Sequence, residues 1–454
     1  MLKKFSSGCV KIVNEFLPDP FLFALILSAI VFILGIAIGG QTPVGMLGHW
    51  GTGFWSFLAF SMQMVLVVVL GNCLANAPVF KRILKRLAGV PKSPKSAVAF
   101  VTFITGIAMM IQWGFGLVIG AIFSKEVAKR VKGVDYRLLV AASYSTYILT
   151  VLTNSIPLKA AASAADNLTA TGGVVGEIIP MTSTAYHPTT LAVVGILFVT
   201  LPFINAAMHP SKEKTVCIDP ALLAEIESVP ETKSRKDMTI AERMENSRLI
   251  SYITFAAGLL YIIYYFWTKG FSLDIDIINF MLFMFGILLH GTPKAYIGAV
   301  ADATRSSAGI ILQFPFYAGI MGMMTGTNAD GTSLAGVIST GIVSISNQQT
   351  FPILSFLSAG LVNMFVPSAG GQWAVQAPLM FPAAEALNVP HSLTTMSICW
   401  GDAWTNLIQP FWALPVLGIA KLGVRDIMGY CVVALLWSGL LILGALAVWS
   451  FFLI

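Results

Sequence analysis

Apolar residues in this chain come in runs too long for the core of a water-soluble domain. The runs fall at about 21–39, 54–77, 97–124, 138–165, 189–208, 248–268, 275–291, 304–325, 351–384, 393–420 and 428–453. Most reach the roughly 20 residues that one helical crossing of a bilayer requires. The pattern predicts an all-α polytopic membrane protein. One tract, 209–247, breaks the pattern: it holds 14 of the 48 Asp, Glu, Lys and Arg residues, with Pro and Ser among them. It reads as a solvated loop with one short helix, and it divides the chain into a first unit (1–208), the loop (209–247), a linking helix (248–268) and a second unit (269–454).

The charges between the runs set their sides. Residues 78–96 carry Lys81, Arg82, Lys85, Arg86, Lys92 and Lys95 and no acid, and 125–137 is also basic. Both belong on the cytoplasmic side by the positive-inside rule. The run 97–124 between them cannot cross once, since both of its ends lie on one side, and it is too short to cross twice. It is expected to be a re-entrant hairpin with its tip at Gln112-Trp113-Gly114-Phe115-Gly116. Irregular backbone at that depth survives only when protein or a water-filled cavity surrounds it. The run 351–384 is expected to be a second hairpin.

The two units echo each other. Gly40-Gln41-Thr42-Pro43 closes one run and Gly291-Thr292-Pro293 another; Ser56 and Gln63 match Ser306 and Gln313; Asn76 matches Asn328; Gln112-Trp113 matches Gln372-Trp373. The order is preserved and the offset grows slowly, which predicts structural repeats. The counterpart of the basic 78–96 loop, about 329–350, has no base and one acid, Asp330. The repeats are therefore expected to be inverted. The count is about nine crossings and two hairpins, with the N-terminus cytoplasmic and the C-terminus outside. Inverted repeats with broken helices are a common design of secondary transporters, with the site near the midplane between repeats.

Composition sharpens this reading. Of the 454 residues 56% are hydrophobic and 11% charged, against about 25% charged in soluble domains. The net charge of +6 sits in short loops beside apolar runs, which excludes a nucleic-acid partner and leaves lipid as the solvent. Lys3, Lys4 and Lys11 precede the first run in the order of a signal peptide, but the run is long and another follows, so an uncleaved first helix is expected. The five cysteines show no metal or disulfide spacing. There is no P-loop, dinucleotide fingerprint or His-Glu-x-x-His motif, and no cofactor or enzymatic constellation is expected.

The candidate chemistry lies at the hairpins and at the breaks that follow them. Pro367-Ser368-Ala369-Gly370-Gly371-Gln372-Trp373 combines a helix stop, small residues and polar side chains. A helix N-terminus there can hold a carboxylate, with Ser368 and Gln372 adding hydrogen bonds. Thr153-Asn154-Ser155 before Pro157, and Asp402 with Asn406 and Gln409 before Pro410, place polar groups at broken spans. Asp402 is an acid inside an apolar run, functional by default, or else a partner for Lys159 or Arg305. Asn154, Asp402 and Asn406 are candidates for a Na⁺ site. Trp113 and Trp373 are candidates for the wall around an apolar tail.

Three stretches carry a resemblance. Val366 through Pro378, Trp400-Gly401-Asp402-Ala403-Trp404-Thr405-Asn406-Leu407-Ile408-Gln409-Pro410, and Phe16-Leu17-Pro18-Asp19-Pro20-Phe21 resemble the bacterial short-chain fatty acid transporter family of acetoacetate and butyrate permeases. That resemblance implies a multi-pass protein of the inner membrane that moves a short monocarboxylate by alternating access with H⁺ or Na⁺ as coupling ion, and by analogy a homodimer. The related dicarboxylate carriers have Ser-Asn-Thr at their hairpin tips; Gln-Trp-Gly and Ser-Ala-Gly-Gly-Gln stand here instead, so a dicarboxylate substrate does not carry over. The rival readings are a carrier for another small organic anion, and an anion channel.

Overall fold

The computed structural model describes residues 20–452 except 57, 220–237, 271–272, 365, 367, 410 and 411. Phe16–Asp19, the N-terminal lysines, the Glu231–Asp237 run, Pro367 and Pro410 lie outside the described residues. Everything described is helix, turn or irregular chain, apart from one isolated bridge between Thr327 and Ser333. The first half holds α1 (Pro20–Ala37), α2 (Pro43–Gly53), α3 (Leu58–Asn76), α4 (Pro78–Leu87), α5 (Pro94–Ile111), α6 (Trp113–Arg130), α7 (Tyr136–Ser145), α8 (Ser155–Ala160), α9 (Ala164–Ala170) and α10 (Pro188–Ala207). After the short α11 (Ile240–Glu245) and the peripheral α12 (Arg248–Lys269) comes the second half. It holds α13 (Ile275–His290), α14 (Pro293–Thr304), α15 (Ala308–Thr325), α16 (Leu334–Ile345), α17 (Phe351–Asn363), α18 (Ala369–Ala386), α19 (His391–Thr405), α20 (Ala413–Ala420) and α21 (Val424–Phe452).

Local sequence explains the matched boundaries. Gly40 and Gly291 adopt left-handed backbone, at φ 64° and 79°, just past α1 and α13. Thr42 and Thr292 then cap α2 and α14, each with Pro at the first helical position, where the missing N–H costs nothing. A Cβ on Gly35 would strike Met46, and one on Gly286 would strike Tyr296. The same small-residue notch thus seats α2 on α1 and α14 on α13.

The halves pack by exchanging partners. Helix α15 rests on α1 and α2, and α3 rests on α13 and α14. Each hairpin leans on its own half's long helix, α6 on α3 and α18 on α15. Each also meets the other half's broken segment, α6 on α20 and α18 on α8. Partner exchange of this kind is what a two-fold relation between halves produces. At the α2–α15 contact the backbones touch: an added Cβ on Gly53 would lie 2.8 Å from Ala318 O and 2.9 Å from Gly322 Cα. Without a hydrophobic drive between helices in lipid, such close approach is what supplies the dispersion energy.

The structure changes several expectations. Residues 78–96 are not all loop: α4 lies there, following α3 across a 57° bend, with Lys81, Arg82, Lys85 and Arg86 on it. The first hairpin is longer than 97–124. Each arm has 18 residues, about 27 Å of helix, and Lys125, Lys129 and Arg130 lie on α6 itself. The shortness that argued for re-entry therefore does not hold. The pairing of Gly116 with Met109 and of Gly120 with Thr105 makes the arms antiparallel about Gln112. Helix α6 is buried, while α5 turns Phe103, Ile107 and Ile111 outward. Among the described residues six helices are long and apolar enough to cross a membrane, or seven if α3 and α4 make one bent span. Short apolar helices such as α13 and α17 stand beside them.

The α2–α15 contact gives a stability test. Gly53→Val should lower the thermal unfolding midpoint of the detergent-solubilised protein, at a cost of about 1–3 kcal/mol for overpacking against backbone. Gly51→Ala, with nothing within 4 Å of its would-be Cβ, is the control and should leave the midpoint unchanged or slightly raised.

Candidate functional site

The two hairpin turns use the same device at different sequence positions. Gln112 is the N-cap of α6: its Oε1 accepts from Phe115 N, and its Nε2 donates to Val67 O on α3 at 3.3 Å. Gly71 leaves the room for that side chain, since a Cβ there would collide with Gln112 Oε1. In the second hairpin the cap is Ser368, whose Oγ accepts from Gly371 N at 3.2 Å. Each cap satisfies the third N–H of its helix. The N–H groups of Trp113 and Gly114, and of Ala369 and Gly370, stand outside the intrahelical ladder at the positive end of the dipole.

The match of Gln112-Trp113 with Gln372-Trp373 is therefore shifted by one helical turn. Gln372 lies inside α18, not at the tip, and its Nε2 donates to Ala359 O and Gln376 Oε1, both at 2.8 Å. Trp113 packs edge-on against Trp412 at 4.8 Å, and Trp373 against Phe381 at 5.4 Å. The two tryptophans thus sit in separate aromatic pairs. Gln372 Oε1 and Trp373 Nε1 are buried without a hydrogen-bond partner among the described residues.

The helix breaks converge on Asp402. Helix α7 tightens into a 3₁₀ segment, Thr146–Thr153, and ends at Asn154, which caps α8 by accepting from Ile156 N at 2.8 Å. The break lies at Asn154, three residues before Pro157. The free side of the same amide, Nδ2, donates to Asp402 Oδ2 on α19 at 2.8 Å. Asn406 Nδ2 approaches Asp402 Oδ1 at 3.5 Å. Asn363, the last residue of α17, donates to Asp402 O at 3.1 Å, Thr405 Oγ1 at 2.9 Å and Asn406 Oδ1 at 3.0 Å. Tyr144 OH donates to Asn406 O at 2.6 Å. Asp402, Asn406 and Asn363 are fully buried, and Asn154 and Gln409 nearly so.

Neither cation considered for Asp402 is its partner. Lys159 forms a salt bridge with Asp166, and Arg305 is exposed. Among the described residues no Lys, Arg or His lies within ion-pair distance of Asp402. Among the described residues its carboxylate accepts hydrogen bonds from the amides of Asn154 and Asn406. Thr153 Oγ1 reaches Met109 O on α5 at 3.4 Å, and Ser155 is the buried first residue of α8. No group of three His, Cys, Asp or Glu side chains suited to a metal occurs among the described residues. An isolated carboxylate ringed by amides and hydroxyls suits a proton or a monovalent cation rather than a transition metal.

Asn154, Asp402 and Asn406 are thus brought together, with the backbone of Gln409 near Tyr144. Sequence reading did not select Asn363. Asn363 carried a usable signal as the lone amide in an apolar helix directly before a hairpin turn.

Residues 1–449 match the family model of the short chain fatty acid transporter. The chain belongs to the short-chain fatty acid transporter family. Within that family a protein of Haemophilus influenzae is 42% identical over 442 residues, covering 96% of this chain and 98% of its own. One of Escherichia coli K12 is 42% identical over 446 residues, covering 97% and 98%. Both carry the provisional name of short-chain fatty acid transporter. Family members are membrane transporters rather than enzymes. Two solved structures share the fold at low identity. The Alcanivorax borkumensis YdaH transporter aligns with TM-score 0.56, 16% identity, and 95% and 98% coverage. Neisseria gonorrhoeae MtrF, described as one of a class of antimetabolite efflux pumps, aligns with TM-score 0.53, 14% identity, and 99% and 98% coverage.

The amide donors to Asp402 are open to measurement. An ordinary interhelical hydrogen bond in a membrane contributes about 0.6 kcal/mol, but removing a donor from a buried carboxylate costs about 1–3 kcal/mol. Asn154→Ala is expected to fall in the larger range, read as loss of unfolding free energy in detergent. Thr153→Ala, which removes a long 3.4 Å contact, is expected in the smaller one.

Proposed function

We propose that the protein carries short monocarboxylates of the butyrate and acetoacetate type across the inner membrane by alternating access, coupled to a gradient of H⁺ or Na⁺. The observation that carries this reading is the buried Asn154–Asp402 hydrogen bond. It joins the broken helix of one half to the broken helix of the other, at an acid with no cationic partner among the described residues. The partner exchange between halves supports inverted repeats, each carrying a two-armed helical hairpin. A two-fold relation of that kind gives two similar arrangements, one open to each side.

In this reading the substrate carboxylate lies against the N-terminal N–H groups of α18 and α6, helped by Ser368 and by the orphaned Gln372 Oε1 acting through a water or a protonated group. Apolar surface from the hairpins takes the short tail. Asp402 takes the coupling ion. Without the cation, the substrate anion would add a second negative charge to that of Asp402 in the low-dielectric interior, where like charges repel strongly. Coupling follows from that arithmetic, because the cation offsets the charge the substrate brings and the doubly loaded and empty sites carry the same net charge.

Purified protein in liposomes, given labelled butyrate or acetoacetate with H⁺ and Na⁺ gradients imposed separately, tests the reading. Accumulation under one gradient and counterflow without either are the expected results. Saturation with competition only from a hydroxy acid or dicarboxylate would move the substrate class. Non-saturating flux without counterflow would point to a channel. Asp402→Asn, which removes the charge at nearly constant shape, is expected to lower gradient-driven accumulation by about tenfold or more. Counterflow should survive, since exchange needs no net ion movement. Equal loss of both would assign Asp402 to the framework.

A further inference from the structure

Among the described residues Lys159 is the one buried lysine. It follows Asn154 by five residues, about 8 Å along the chain of α8. Its side chain is 8% exposed, whereas that of its salt-bridge partner, Asp166 on α9, is 51% exposed. Helix α8 packs on α18 and α19, the second hairpin's inner arm and the Asp402 helix. Helix α9 is folded back on α8 by Asn167, whose Nδ2 donates to Ala160 O at 2.7 Å and Glu177 O at 2.9 Å. The start of α7 is tied to the segment after α10 through Tyr136 N and Val216 O at 2.8 Å. Residues 161–187 therefore lie at the other end of the broken span, away from the basic loops.

We propose that Lys159 is the capture point for the substrate's carboxylate on the 161–187 side, and that Asp166 is the resident counter-ion which that carboxylate displaces. The inference rests on the reading that the cargo is a monocarboxylate. The physical case is an exchange of like for like. A buried ammonium without a counter-anion is costly, so the salt bridge stays closed while no anion is present. An arriving carboxylate conserves the charge balance at Lys159. Asp166 is already half in water, so its release requires little further solvation change. The pair is thus selective for anions at the entry and admits them one at a time, a short helical distance from Asn154 and Asp402.

The test is the apparent affinity for butyrate and acetoacetate, read as KM of uptake in liposomes and as Kd by titration of the detergent-solubilised protein. Asp166→Asn removes the competitor and is expected to lower KM and Kd by about two- to fivefold, the weight of a partly exposed pair. Lys159→Gln is expected to raise both by about tenfold or more, with Lys159→Arg largely restoring them. The double variant should match Lys159→Gln alone. Unchanged KM and Kd in Asp166→Asn would overturn the proposal, as would equal falls in Vmax and thermal stability in both single variants, which mark a structural pair. Wild-type protein that neither binds nor accumulates either acid would remove the transport reading itself and this inference with it. Wild-type uptake with an indifferent Asp166→Asn removes the inference alone.

Discussion

A single carboxylate, buried among amides with no cation beside it among the described residues, organises the centre of this protein. Asp402 can stay in an apolar interior because Asn154, Asn406 and Asn363 direct their N–H groups at its side chain or its carbonyl. Those donors come from α19 itself, from the arm of the hairpin beside it, and from the broken helix of the other half. The low dielectric that makes these bonds strong also makes them hard to lose. The helix breaks follow from this requirement, since only residues freed from a regular helix can offer a cap to one side and a donor to the other, as Asn154 does.

Around that centre, glycine sets the distances. Gly53 and Gly322 let α2 and α15 touch backbone to backbone, Gly401 does the same for α19 against α17, and Gly71 clears the space for the Gln112 cap. Lipid tails compete poorly with such contacts only when the fit is close. The polar cluster and the glycine seams are therefore two parts of one solution. Close packing fixes the helices to within the tolerance that hydrogen bonds demand, and the hydrogen bonds fix which helices meet.

Much of this was legible in the sequence because membrane segments advertise themselves by length and apolarity. The runs near 21–39, 189–208, 248–268 and 428–453 became α1, α10, α12 and α21 within a few residues. The breaks were marked by prolines and amides, and Asp402 stood out as an acid in an apolar run. What escaped depended on partners distant in the chain. Asn363 looks like any helix-end amide until α19 is placed beside it. Gln372 matches Gln112 in its dipeptide but not in its cap, because the second turn is set by Ser368 one helical turn earlier. The helices α2, α4 and α14 are short or mixed in character, and hydropathy alone gives them no signal; α16 is apolar but only 12 residues long. The ends of the first hairpin were misjudged because basic residues were read as loop, although Lys and Arg are good helix formers and snorkel from a helix end.

The exchange of packing partners has a consequence for how the chain is made. Helices α1 and α2 find their neighbour in α15, which begins at Ala308, more than 250 residues after Gly53. At ribosomal speeds of about 5–20 residues per second, that is a wait on the order of tens of seconds. During it α2 holds its Gly53 notch with nothing seated in it, and α3 lacks both α13 and α14. Neither half closes all of its own packing surfaces. The nascent first half must be sheltered in the bilayer, by lipid or by the insertion machinery, until synthesis of the second half delivers the surfaces that complete it.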